Sequence, residues 1–364
     1  MSNKYLITLE PLDTYFFGQE SKYRKKNGKI EPDYYQKSAY FPQQTTLLGM
    51  LRYYILLING QIPITDKKTA EELIGENSFD AGKDNDFKTI KCLSEVFIVK
   101  YNKFYYPNPK DLLLKDKKIK KLEADKGLDV KTNASKKFYY FPEYKEKEGL
   151  SGFLYHSIDD FLPLNYDKDE NPAGVFIEVE KIGITKAKTG QTLNKAFYKQ
   201  VALKLNKGIR FGFVATIDHL NMEKVQKNPF VFMGAEKNAF KIEFHDFNED
   251  LRTKIEFPDN NKPKIVLLSD AYLPEFDTND FNFAIMDTKT FRFLQTQVRE
   301  NNNKYYSSDP VKGNNIKRSG KFNLIKSGSV FYFENEAQMN TFSKKLEQVT
   351  NFKKIGYNQH LKIK

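Results

Sequence analysis

Tryptophan is missing from this chain and cysteine occurs once, at Cys92. A single thiol excludes an internal disulfide framework and any multi-thiolate zinc site. Histidine is scarce as well, at 156, 219, 245 and 360, and no two share metal-ligand spacing. There is no Gly-x-x-x-x-Gly-Lys loop, no Gly-x-Gly-x-x-Gly turn and no His-Glu-x-x-His pair, which removes the common nucleotide, dinucleotide and zinc chemistries. No cofactor and no metal are expected. A near miss for calcium runs from Asp167 to Glu178, but its sixth position, where the loop must turn on glycine, is Pro172. No apolar run approaches the roughly 20 residues that span a bilayer, and Met-Ser-Asn-Lys leads directly into a strand. A cytoplasmic protein with no membrane contact is expected.

Arginine is the other shortage: seven residues, at 24, 52, 210, 252, 292, 299 and 318, against 52 lysines. The net charge is nevertheless +12, with a pI near 9.2, which favours a polyanionic partner and is equally compatible with ordinary surface charge. Aromatics are plentiful, 22 Tyr and 31 Phe, and some lie among lysines, as in Lys100-Tyr101-Asn102-Lys103-Phe104-Tyr105-Tyr106. A base stacked on such a ring contributes roughly 1–3 kcal/mol. Most of these rings are expected in the core.

The most informative stretch is an apolar strand at 4–9, the pair Phe16-Phe17, and Phe41-Pro42-Gln43-Gln44-Thr45-Thr46 opening a helix. Leu47, Leu51, Tyr54, Ile55 and Ile58 recur at three- and four-residue spacing and define its buried stripe, while Thr45, Gly49 and Arg52 share a stripe expected to face outward. A helix start offers unpaired N–H groups and partial positive charge, glycine allows close approach, and arginine adds a planar fork, so the stripe suits a phosphate. A capped core helix with a surface arginine is the alternative.

Length indicates two globular domains. The first, residues 1–205, carries the basic loop 19–29, the helix at about 45–58, a short helix at Ala70–Ile74, strands near 93–99 and 175–184, and a lysine- and glutamate-rich insertion at about 110–150. The tract 186–192 reads as a hairpin tip. The second, 206–364, opens with the strand Arg210–Ile217. It continues with strands at 230–233, 239–244, 264–268 and 329–333, a basic glycine-bearing loop at 299–321, a helix at 336–348 and a short last strand ending at Ile355-Gly356-Tyr357. The fold class is α+β: two ferredoxin-like (RRM-like) domains with loop and helical insertions, a platform often used for RNA.

Four stretches in register carry a family resemblance: Tyr5 to Asp13 with Phe16-Phe17 and the helix start through Arg52; Ile182-Gly183-Ile184 with Thr189-Gly190 and Phe197-Tyr198; Phe232-Met233-Gly234-Ala235-Glu236; and Ile325 to Glu334. Together they resemble the third-subunit family of the Cmr module, the type III-B CRISPR effector, whose members look like Cas5-type proteins of the RAMP superfamily. The resemblance implies a non-catalytic subunit that grips the repeat-derived 5′ handle of a CRISPR RNA (crRNA). It also implies docking to the large polymerase/cyclase-like CRISPR subunit and to an adjacent RAMP backbone subunit.

On that reading the handle threads between the domains. Backbone amides near 44–49, with Arg52, Lys186, Lys188, Lys317 and Arg318, grip phosphates, Gln44 and the neighbouring hydroxyls of Thr45 and Thr46 read splayed bases, and Lys22, Arg24, Lys25, Gly49, Lys312 and Tyr357 are further expected RNA contacts. The competing reading is a metal-independent RNA-processing endoribonuclease of the same superfamily using His219 or His360 as base. A basic scaffold that docks only proteins is the third.

Overall fold

A computed structural model describes residues 2–19, 23–26, 29–32, 35–115, 118–122, 127–131, 138–142, 144–155, 160–186, 189, 192–234, 236–249, 262–298 and 317–363. The fold is mixed α+β, rich in strands and built on two main sheets. The first has nine strands: β1 (Ser2–Pro11), β2 (Ile90–Leu93), β3 (Phe97–Lys100), β4 (Lys103–Pro107), β5 (Gly152–Leu154), β6 (Leu162–Pro163), β7 (Ile209–Asp218), β8 (Phe230–Met233) and β9 (Asn238–Asp246). Their order is β6-β5-β4-β3-β7-β1-β9-β8, with β2 also on β7. The central strand β1 is antiparallel to both neighbours, Tyr5 lying opposite Ala215 of β7 and Asp246 of β9.

The division expected after residue 205 is therefore not where the sheets separate. Both neighbours of β1 come from beyond it, because alternation in 209–218 and 238–246 supplies the apolar face that β1 needs on each side. The second sheet holds β10 (Lys264–Leu267), β11 (Phe283–Ile285), β12 (Val330–Tyr332) and β13 (His360–Ile363), in the order β11-β12-β10-β13.

Strand alternation stacks these sheets into layers. Tyr5, Ile7 and Leu9 join Leu47, Leu51, Tyr54 and Ile55 of helix α1 (Gln44–Ile58) in the main core. Leu6, Phe97 and Val99, on the opposite face, meet Val266, Val330 and Tyr332 of the second sheet. The far side of that sheet, with Ile265, Leu267 and Phe331, is covered by Met339, Phe342 and Leu346 of α4 (Glu336–Gln348). The layers run helix, sheet, sheet, helix.

Further helices are α2 (Lys67–Ile74), α3 (Met222–Lys227) and α5 (Thr350–Lys354). A long antiparallel ribbon, Phe176–Lys186 with Thr192–Leu205, takes the short strand Tyr35–Lys37 in parallel on one side. Several of the expected elements change, and the strand expected near 93–99 is replaced by β2 and β3 on either side of 94–96. The basic loop 19–29 contributes the strand Tyr23–Lys26, paired with Lys29–Pro32. No strand ends at Ile355-Gly356-Tyr357: α5 is followed by a turn with Gly356 at φ +95, and the last strand is β13.

Insertion 110–150 contains two hairpins, Leu112–Lys115 with Lys118–Lys121 and Gly127–Lys131 with Phe138–Pro142. Its root is fixed by an ion pair buried between the layers. Lys264 Nζ lies 2.7 Å from Asp111 Oδ2, each side chain 2 % exposed or less, and the Tyr332 hydroxyl donates to the same oxygen at 2.5 Å. Such a pair fixes position more than it adds stability, because both charges have lost their water.

Candidate nucleic-acid interface

Helix α1 starts without a side-chain cap of its own, since Gln43 makes no capping bond. The partner comes from the other end of the chain. Tyr357, 1 % exposed, donates its hydroxyl to Gln43 Oε1 at 3.2 Å. Burial raises the phenol well above its ordinary value, so it remains a neutral polar group filling the helix start. Gln44 is buried beside it. Its carboxamide is satisfied at both ends when Nε2 donates to Ile355 O (3.0 Å) and Oε1 accepts from Val96 N–H (3.3 Å).

Two motifs read separately in the sequence thus meet, and they meet as a joint. Gly356 sits at its centre, where a Cβ would lie 2.1 Å from Ser94 O. The expectation that Gln44 and Tyr357 face nucleotides is corrected for the chain as it stands, because both are sealed in.

Arg52 is corrected likewise. It is 6 % exposed, and Nε and Nη2 donate to Ile74 O and Gly75 O, each at 3.0 Å. These are carbonyls at the C-terminus of α2, where unpaired acceptors and the negative end of the helix dipole favour a cation. Burial lowers the guanidinium pKa, yet Arg52 remains charged at neutral pH. The outward stripe is instead Thr46, Gly49 and Tyr53: Thr46 is half-buried, Gly49 has nothing within 4 Å of a Cβ position, and Tyr53 is 46 % exposed. Its four-residue step from Gly49 was the available sequence signal for Tyr53. Thr45 is half-buried at the joint.

Among the other expected contacts, Lys317 and Arg318 are exposed on a two-residue strand paired with Leu294–Gln295. Arg24 and Lys25 lie in the basic hairpin opposite Glu31 and Ile30, and Lys186 ends its ribbon strand opposite Thr192. Lys22, Lys188 and Lys312 fall outside the described residues.

Next to α1 runs β8, with Val231 and Met233 buried and Phe230 and Phe232 exposed. The turn after it, with Gly234 at φ +76, is tied by Asn238 Nδ2 to Phe16 O (3.3 Å) and by Glu236 Oε1 to Gln200 Nε2 of the ribbon (2.6 Å). Two of the resemblance motifs, the one with Phe16-Phe17 and the one ending at Glu236, therefore meet at one end of the first sheet. Phe230 and Phe232 were missed as surface residues because burial on a short edge strand depends on what lies across it.

Among the described residues no group of three or more His, Cys, Asp or Glu side chains could hold a metal, and no helix is long and apolar enough to cross a membrane. His219 is exposed at φ +50 in the turn after β7. Both ring nitrogens of His360 are engaged: Nδ1 lies 3.0 Å from Asn358 O and Nε2 lies 2.7 Å from Ser343 Oγ.

These elements define an α+β layered protein that carries exposed basic side chains, Lys317 and Arg318 among them, at its edge. The family model for CRISPR-associated protein (Cas_Cmr3) matches residues 7–364, and the chain belongs to that family. Among solved structures it is similar to a chain in a cryo-EM structure of the Type III-B Cmr-beta bound to cognate target RNA and AMPPnP. The identity is 16 %, the TM-score 0.51, and the alignment covers 98 % of this chain and 96 % of that one. A second structure of that complex, bound to cognate target RNA, matches with the same figures. A chain of a Csm3-Csm4 subcomplex of the type III-A interference complex aligns at 13 % identity over 91 % of this chain and 93 % of that one, with TM-score 0.37. No curated protein matches in sequence. The chain shares its fold with subunits of type III CRISPR effector complexes.

Proposed function

We propose that this chain is the non-catalytic subunit of a type III-B effector that holds the 5′ handle of the crRNA and docks the large polymerase/cyclase-like subunit and an adjacent RAMP backbone subunit, working in the cytoplasm. Family membership over residues 7–364 is the observation that carries the reading. We read the layers as paired ferredoxin-like units. In the first, β1, α1, β3, β7, α3 and β9 follow one another with strand order β3-β7-β1-β9. In the second, β10, β11, β12, α4 and β13 give the equivalent order with the first helix absent. The domains then follow the sheets, at about 2–246 and 264–363.

Within that frame, Gln44, Arg52 and Tyr357 hold the architecture. Phosphate contact passes to Lys317, Arg318 and the basic segments around Lys22, Arg24, Lys25, Lys186, Lys188 and Lys312, and base contact to Thr46 and Gly49 of the outward stripe with Thr45 beside them. The endoribonuclease reading loses His360, whose nitrogens already have protein partners. A binding assay with handle RNA and a scrambled RNA of equal length tests the proposal. Preference for the handle, reduced by Lys317→Ala with Arg318→Ala, is expected; equal weak binding of both RNAs would favour a protein-docking scaffold, and histidine-dependent cutting in chelator would favour the nuclease.

A further inference from the structure

One basic and aromatic stretch of the sequence has no part in the handle reading. In Lys100-Tyr101-Asn102-Lys103, Tyr105 and Tyr106 further on go to the core, but Tyr101 is 82 % exposed, more than any other large apolar side chain among the described residues. The ring is displayed deliberately by the backbone. Lys100 pairs with Lys103 across a two-residue hairpin turn, and Tyr101 and Asn102 both take positive φ, +49 and +60, the pattern of a type I′ turn. Tyrosine is an uncommon residue there, where glycine or asparagine is favoured, and a residue in a sparsely populated conformation prompts the question of use.

The surroundings supply charge of one sign. Lys100 Nζ is 5.9 Å from the ring centroid, and the ring edge hangs over Gly208, where a Cβ would lie 3.9 Å from Tyr101 Cε1. Lys207, beside that glycine, is exposed. Lys103 is neutralised by Asp160 at 2.8 Å, but among the described residues neither Lys100 nor Lys207 has an ion-pair partner. We propose that Tyr101 is a stacking platform for one unpaired base of single-stranded RNA, with Lys100 and Lys207 contacting the phosphates on either side. An aromatic face accepts any base, and flanking ammonium groups follow the backbone without reading sequence. None of these three residues is among those assigned to the handle, and the proposal does not depend on that assignment.

Because the chain has no tryptophan, Tyr101→Trp in the full-length protein places a single indole reporter at the site. Oligoadenylate should quench its fluorescence, whereas heparin, a polyanion without bases, should not. Tyr101→Ala should weaken oligoadenylate binding roughly fivefold or more while Tyr101→Phe retains it. Replacing Lys100 and Lys207 by Ala should weaken binding and flatten its salt dependence. Unchanged fluorescence with oligoadenylate, whether the RNA binds elsewhere or not at all, or equal quenching by heparin, would overturn the proposal. Handle preference, measured separately by anisotropy of labelled RNA, should survive Tyr101→Ala, so either proposal can fail alone.

Discussion

Arg52 and Arg318 are the same residue type in two regions with opposite physics. At the α1 joint, guanidinium, carboxamide and phenol are withdrawn from water and given carbonyl and amide partners within the chain. At the periphery, Lys317 and Arg318 stand on a short strand in solvent. Polar residues near a binding motif can therefore act by shaping the protein or by touching the ligand. Burial decides between the two roles, because a sealed group cannot exchange its partner for a phosphate without opening the core.

Removing one member of a buried set has the largest expected effect. Asp111→Ala strands the Lys264 ammonium between the layers and should cost about 3–5 kcal/mol, read from the denaturant midpoint. Replacing Asp111 and Lys264 together by Leu and Met should recover most of the loss. Gly356→Ala combines a Cβ clash with Ser94 O and a φ of +95, and should cost about 3 kcal/mol. Arg52→Ala leaves the α2 carbonyls unpaired and should cost about 2 kcal/mol, lowering the melting temperature.

A smaller effect sharpens the contrast through pH. Asp287 pairs with Lys110 at 2.7 Å, near the root of the insertion. Hydrogen bonding to Lys110, and then the charges of Lys110 and Lys326, hold its carboxyl below the ordinary 3.8 despite partial burial. A depressed carboxylate contributes stability that is present above the unfolded value and lost as pH falls through the folded one. Melting curves should therefore show Asp287→Asn less stable than the parent at neutral pH, with the difference closing below pH 3.8.

Much of the fold was legible locally. The helix 336–348 and the strand 230–233 have the bounds their patterns indicate, and α1 begins one residue early. Local periodicity suffices where an element's own stripe meets one core. It failed where a distant segment supplies the environment. Arg52 belongs to a polar stripe until α2 covers it, and Gln44 finds its acceptor at Ile355, in the turn at the far end of the chain. The same limit explains the misplaced last strand: Ile355 and Tyr357 are apolar because they fill the joint, not because they pair in a sheet.

On the proposed function, architecture and RNA contact are divided between these two regions. Handle affinity measured across a salt series for Arg318→Ala and Arg52→Ala, each at a temperature where it is folded, tests it most directly. Losing a phosphate contact should reduce the magnitude of the log–log salt slope by roughly 0.7 for Arg318→Ala, with the Arg52→Ala slope unchanged. A reduced slope for Arg52→Ala with an unchanged slope for Arg318→Ala would contradict the account.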